Sequence, residues 1–162
     1  SPRPLPAEAP PPPPMEEFVE GQRLALVCLQ QAEHQASVKE ALESSGYKVH
    51  VPPKPESALH WIGHYKYELL ILGDDYGGSP AENIVLGALQ PMAMAMRRHM
   101  CVGLVGKDLT TMDNMAAFAR SVNFVIAEKD LPKVKVVVKQ AVADNDQVYH
   151  VFREVLRGVG KA

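Results

Sequence analysis

The sequence predicts an α/β fold, a doubly wound parallel sheet of five strands followed by a C-terminal helical extension. Two observations predict it. Short apolar runs alternate with segments of helical spacing from Gly21 onward. One run, Leu69-Leu70-Ile71-Leu72, is apolar at four consecutive positions, as a central parallel strand buried on both faces requires.

Each element has a local reason. Arg23 to Leu29 is the first apolar run; Ala32 to Ser45 has helical spacing through Val38, Ala41 and Leu42, and Gly46 is placed as a left-handed cap. Tyr47 to Val51 is a short second strand closed by Pro52-Pro53, and Glu56 to Tyr65 is a helix with Ala58, Leu59 and Ile62 on one face. Glu68 to Leu72 is the third strand. Ser79-Pro80-Ala81-Glu82 matches a capping box with proline at the first helical position, so a helix is predicted from Pro80 through Ile84, Leu86 and Leu89. Pro91 should kink or restart it before Met92 to His99. Met100 to Val105 is the fourth strand, Thr110 or Thr111 caps the helix of Met115, Ala116, Phe118 and Ala119, and Val122 to Ala127 is the fifth strand. A last helix begins near Leu131-Pro132. Right-handed crossovers leave few arrangements for such units, and the flavodoxin-like order 2-1-3-4-5 is the expected one.

Composition bounds the function. A chain of 162 residues that is 46% hydrophobic can bury one ordinary core. A formal charge of -2 provides no global basic field for nucleic acid or anionic lipid, so neither is expected as a partner. Cys28 and Cys101 fall in apolar runs without metal-ligand spacing, which suits a reducing compartment. No apolar run approaches the roughly 20 residues of a membrane helix, and no signal core is present, so the expected location is cytoplasmic. Residues 1–20, with the run Pro10 to Pro14, read as a proline-rich linker; with no methionine at position 1, an upstream module is expected.

Chemistry in such a sheet gathers at the carboxyl ends of the strands, here Gly73-Asp74-Asp75-Tyr76-Gly77-Gly78 after the third strand. From Arg23 to about Ala143 the chain resembles the response-regulator receiver family in element order, element lengths and helix placement. The resemblance implies a signalling module, but the family's chemical positions are poorly kept. Where the family holds magnesium with an acidic pair after the first strand, this chain has Cys28 and Leu29, neither a hard oxygen ligand. The phosphoacceptor position aligns with Gly73; Asp74 is one residue late, which reverses side-chain direction. The family's hydroxyl residue aligns with Val105 or Gly106, and its lysine with Ala127 or Glu128, with Lys129 nearby. The chain is therefore expected to be a pseudo-receiver with no catalytic residue and no cofactor, acting through protein contact independently of phosphorylation.

Two alternatives stay open. Asp74 or Asp75, with magnesium and Lys129, could form an atypical phosphoacceptor site, although Asp-Tyr-Gly-Gly is also ordinary turn chemistry. The Gly73 to Ser79 turn, leading into a helix N-terminus, could hold a small ligand or anion in the manner of a flavodoxin-like binder. His60 and His64 have i, i+4 spacing but lack the glutamate of a zinc hydrolase motif, and Met92, Met94, Met96 and Met100 read as core filling rather than as a binding surface.

Phe118, Arg120 and Asn123 occupy the segment that receivers use to present their output face, and the resemblance makes them candidates for partner contact. Beyond residue 143, Val148, Val151, Phe152, Val155 and Leu156 give the tail an apolar face that needs cover from its own domain or from a second copy. Asp144-Asn145-Asp146 are poor interior helix formers, so a break there is the preferred reading, dividing a receiver-like domain at 21–143 from an extension at 144–162. The alternative is one helix with a heptad seam in which Asn145 fixes register against another chain.

Overall fold

The computed structural model describes residues 23–92 and 97–158, with the side chains of 147–154 and 156–158 outside that description. The proline-rich segment, Met94 and Met96, and the side chains of Val148, Val151, Phe152 and Leu156 therefore lie outside the described residues. Five parallel strands, β1 (Arg23–Cys28), β2 (Tyr47–His50), β3 (Leu69–Gly73), β4 (Cys101–Gly106) and β5 (Phe124–Ala127), form one sheet in the order β2-β1-β3-β4-β5. The helices are α1 (Ala32–Ser44), α2 (Pro55–His64), α3 (Ile84–Leu89), α4 (Asn114–Ala119) and α5 (Val134–Gly158). None of the helices searched is long and apolar enough to cross a membrane.

Alternation along the strands produces two cores. Leu26, Cys28, Leu70, Leu72, Val102 and Leu104 point to one face, where Ala58, Trp61 and Ile62 of α2, Val85 and Leu89 of α3 and Ala117 of α4 cover them. Ala25, Val27, Leu69, Ile71, Val105 and Ile126 point to the other, beneath Val38 and Leu42 of α1 and Val134, Val138 and Ala141 of α5. Each fully buried Leu, Ile or Val contributes about 1.5–3 kcal/mol, so β3, buried at all five positions, is the spine of the sheet. Gly46 closes α1 with φ +94°, as its position after Ser45 predicts.

Three local expectations are corrected. The capping box at Ser79 does not start the helix: Pro80–Glu82 is a single 3-10 turn and Ser79 makes no side-chain cap, whereas Asn83 Oδ1 accepts from Leu86 N at 3.0 Å and starts α3. Neither Thr110 nor Thr111 caps α4; Asp113 Oδ1 accepts from Met115 N and Ala116 N, both at 3.1 Å. The helix does not break at residues 144–146 but runs unbroken from Val134 to Gly158, across the boundary expected at 143. There the polar side chains have tertiary and helical partners in place of capping roles. Asn145 Oδ1 accepts from Asn123 Nδ2, Asp144 Oδ1 accepts from Gln140 Nε2, and Asp146 sits 3.6 Å from Arg23.

Candidate functional site

The carboxyl edge of the sheet is assembled from the ends of β1, β3, β4 and β5. β1 ends in apolar bulk: Cys28 and Leu29 are both buried, and burial pushes the Cys28 thiol well above its ordinary pKa. The Leu29 carbonyl accepts from Gln35 Nε2 at 2.6 Å, so the backbone here is closed by α1.

β3 extends one residue past the expected end, to Gly73, which pairs with Val105, and Asp74 N continues the ladder to the Val105 carbonyl at 2.8 Å. A Cβ at Gly73 would lie 3.1 Å from Asp75 Oδ1 and 3.5 Å from Leu29 Cδ2. The Asp75 carboxylate thus crowds the position that a side chain at the strand end would take, with Leu29 in ordinary contact. Asp74 turns the other way: its Oδ2 is 2.5 Å from where a Cβ on Gly106 would stand, so that glycine is what lets the carboxylate lie over the end of β4. Its pKa is raised, first by burial and then by Asp75, while the Asp75 backbone N–H and the Arg120 charge pull it down. Lys129 is exposed on the 3-10 turn Glu128–Lys133 and is not among the charges acting on Asp74.

Asn83 is the residue that sequence reasoning missed. Its Nδ2 donates to the Gly73 carbonyl at 2.8 Å and to the Asp74 carbonyl at 3.2 Å, while its Oδ1 caps α3. The signal was an amide residue directly before Ile84-Val85, masked by the stronger pattern at Ser79. Thr111 was also misread. Its hydroxyl accepts from Ala127 N at 2.9 Å and donates to Asp130 Oδ2, so it ties the β4–α4 loop to the end of β5.

The turn after β3 has little free donor capacity. Gly77 N donates to Gln30 Oε1 at 2.9 Å, Gly78 N to the Asp75 carbonyl and Glu82 N to the Ser79 carbonyl. Those amides are therefore spent within the protein rather than turned toward an anion. Among the described residues, no group of three or more His, Cys, Asp or Glu side chains is arranged to hold a metal. The donors do not fit magnesium, because the strand that should supply carboxylates supplies Cys28 and Leu29. The His60 and His64 rings lie 4.2 Å apart on the exposed side of α2, with His64 Nδ1 against the His60 carbonyl.

The expected contact residues are spread over two regions. Phe118 is 82% exposed and Met115 76%, one turn apart on α4, with Arg120 exposed just beyond. Asn123 is turned inward in its bonding: Oδ1 accepts from Val102 N at 2.8 Å and Nδ2 donates to Asn145. On the tail, Val155 is 59% exposed.

No protein-family model matches the chain, and no curated protein matches it. Solved structures do. A CheY-like receiver domain protein from Methanospirillum hungatei JF-1 superposes with TM-score 0.61 at 13% identity over 78% of this chain and 98% of that one. HP1043, an orphan response regulator of H. pylori, gives 0.58 at 14% identity over 75% and 98%. NtrX from Brucella abortus, in complex with ADP, gives 0.65 at 15% identity over 87% of this chain and 30% of that one. At such identities the likeness is one of fold: this chain has the fold of response-regulator receiver domains.

Proposed function

We propose that this receiver-fold chain is a pseudo-receiver, a signalling module that acts through protein contact without phosphoryl transfer, and that it is not an enzyme. One observation carries the reading. The residue at the carboxyl end of the central strand is Gly73, which carries no side chain, and a Cβ there would lie 3.1 Å from Asp75 Oδ1 and in ordinary contact with Leu29. The buried Cys28 and Leu29 at the end of β1 support it, since phosphoryl transfer to a carboxylate brings like charges together and relies on a hard cation, held by oxygen ligands, to offset them. No cofactor is required by this reading.

The contact surface we assign is the exposed pair Met115 and Phe118 with Arg120 at the end of α4. Aromatic, Met and Arg side chains are the types enriched in protein interfaces. Pairing of two copies through the distal half of α5, where Val155 is exposed, is a second contact under the same reading.

An atypical phosphoacceptor at Asp74 or Asp75 is the competing reading, favoured by the proximity of the two carboxylates in one strand-end turn. Incubation with acetyl phosphate and magnesium, followed by intact mass measurement, separates the two. An unchanged mass is expected; a phosphoryl adduct lost in Asp74→Asn or Asp75→Asn would overturn the proposal.

A further inference from the structure

The opposite edge of the sheet holds a cleft of about 340 Å³ that none of the foregoing uses. Its position follows from topology. In a parallel sheet all amino ends lie on one edge, so Arg23 of β1, the Lys66 and Glu68 lead-in to β3, and the Arg98 and His99 lead-in to β4 converge there. The unbroken α5 supplies the remaining wall through Val142, Asn145 and Asp146.

Among the described residues the cleft is lined by three Lys or Arg side chains and two acids. Arg23 engages both acids, with Nε 2.9 Å from Glu68 and Nη2 3.6 Å from Asp146. Lys66 and Arg98 have no ion-pair partner among the described residues. An adjoining cleft of about 420 Å³ shares Arg23, Tyr47, Val142 and Asp146 and adds Lys135 and Lys139. In a chain with a net charge of -2, the two adjoining clefts are thus lined by five Lys or Arg side chains and two acids among the described residues, a local excess of cations at one concave edge.

We propose that this amino-edge cleft binds a small phosphate ester, its dianionic phosphate held between Lys66 and Arg98. An arginine fork and a lysine point charge together suit a doubly charged phosphate. A volume of about 340 Å³ exceeds what a bare ion fills and falls at the lower end of small-molecule sites. The proposal is independent of the pseudo-receiver reading, since the two sites lie on opposite edges of the sheet.

The test is an amide NMR titration of the full chain with phenyl phosphate and, separately, inorganic phosphate, each against sodium chloride at matched ionic strength. Saturable shifts at Lys66, Glu68, Arg98, His99 and Cys101, with the ester binding more tightly than the free ion, are expected. The double substitution Lys66→Ala/Arg98→Ala should weaken ester binding about tenfold or more while the spectrum stays dispersed, because both side chains are exposed. Shifts no larger than those from chloride, saturation elsewhere on the chain, equal affinity for ester and free ion, or undiminished binding by the double variant would each overturn it.

Discussion

Asn83 Nδ2 donates to the Gly73 carbonyl at 2.8 Å, fastening the start of α3 to the end of the central strand. The same side chain caps α3 through its oxygen and is buried, so one amide closes both elements. Asn83→Ala is expected to cost about 1–3 kcal/mol, the range for a lost cap together with buried carbonyls left under-satisfied. Urea unfolding checks it; a loss within about 0.5 kcal/mol, the usual spread of surface substitutions, would show the tie to be dispensable.

Gly73→Ala should destabilise by about 1 kcal/mol, the lower end for overpacking, since its Cβ would stand 3.1 Å from Asp75 Oδ1, which must move aside by a few tenths of an ångström. Asp75→Ala removes that atom. In the double variant the glycine substitution should cost less than it does alone, a coupling readable in a double-mutant cycle. Strict additivity would mean that Asp75 does not crowd that position.

Gly103 pairs with Phe124 across β4 and β5, and a Cβ there would collide with the outer end of the Phe124 ring at Cζ. Gly103→Ala is expected to lower stability by about 3 kcal/mol or more, at or above the upper end for overpacking, because strand backbone and ring would both have to move. Phe124→Leu should recover part of that loss in thermal melts. No recovery would place the strain elsewhere.

Asp74 provides a pH test. Its carboxyl titrates above its ordinary value in the folded chain, first through burial and then through Asp75. Between the unfolded and folded values the native state binds more protons, so this group's contribution to stability falls as pH rises through that window. Asp74→Asn retains an acceptor for the Asp75 N–H and removes the charge. Its stability relative to the parent should therefore improve from acid toward neutral pH and level off above the folded value. Equal stability differences at pH 3.5 and pH 7 would contradict this.

Much of the fold was legible because strand order depends on long-range burial that the apolar runs encode directly. Leu69 to Leu72 could only be a strand covered on both sides, and the crossover rule ordered its neighbours. The caps were less legible. Ser79 and Thr111 carry the residue types of caps, yet Asn83 and Asp113 fill the role: the Asn83 amide also meets the Gly73 carbonyl, and the Thr111 hydroxyl is taken up by Ala127 N and Asp130. Residues 144–146 misled for the same reason. Local propensity favours a break, but Asn145 meets Asn123 and Asp146 meets Arg23, neither of which is near in sequence. The slip from Gly73 to Asp74 was visible in sequence, whereas Asp75 turning back toward Gly73 depends on the turn's conformation.

If the chain is the pseudo-receiver proposed above, its carboxyl edge, with Gly73 at the centre, performs no phosphoryl chemistry. The most direct test is an amide NMR titration with magnesium, then with magnesium plus beryllofluoride, which mimics a phosphoryl group. Resonances of residues 73–78 and Lys129 should stay in place while the spectrum remains that of a folded protein. Saturable shifts centred on those residues, abolished by Asp74→Asn or Asp75→Asn, would instead make this edge an active phosphoacceptor site.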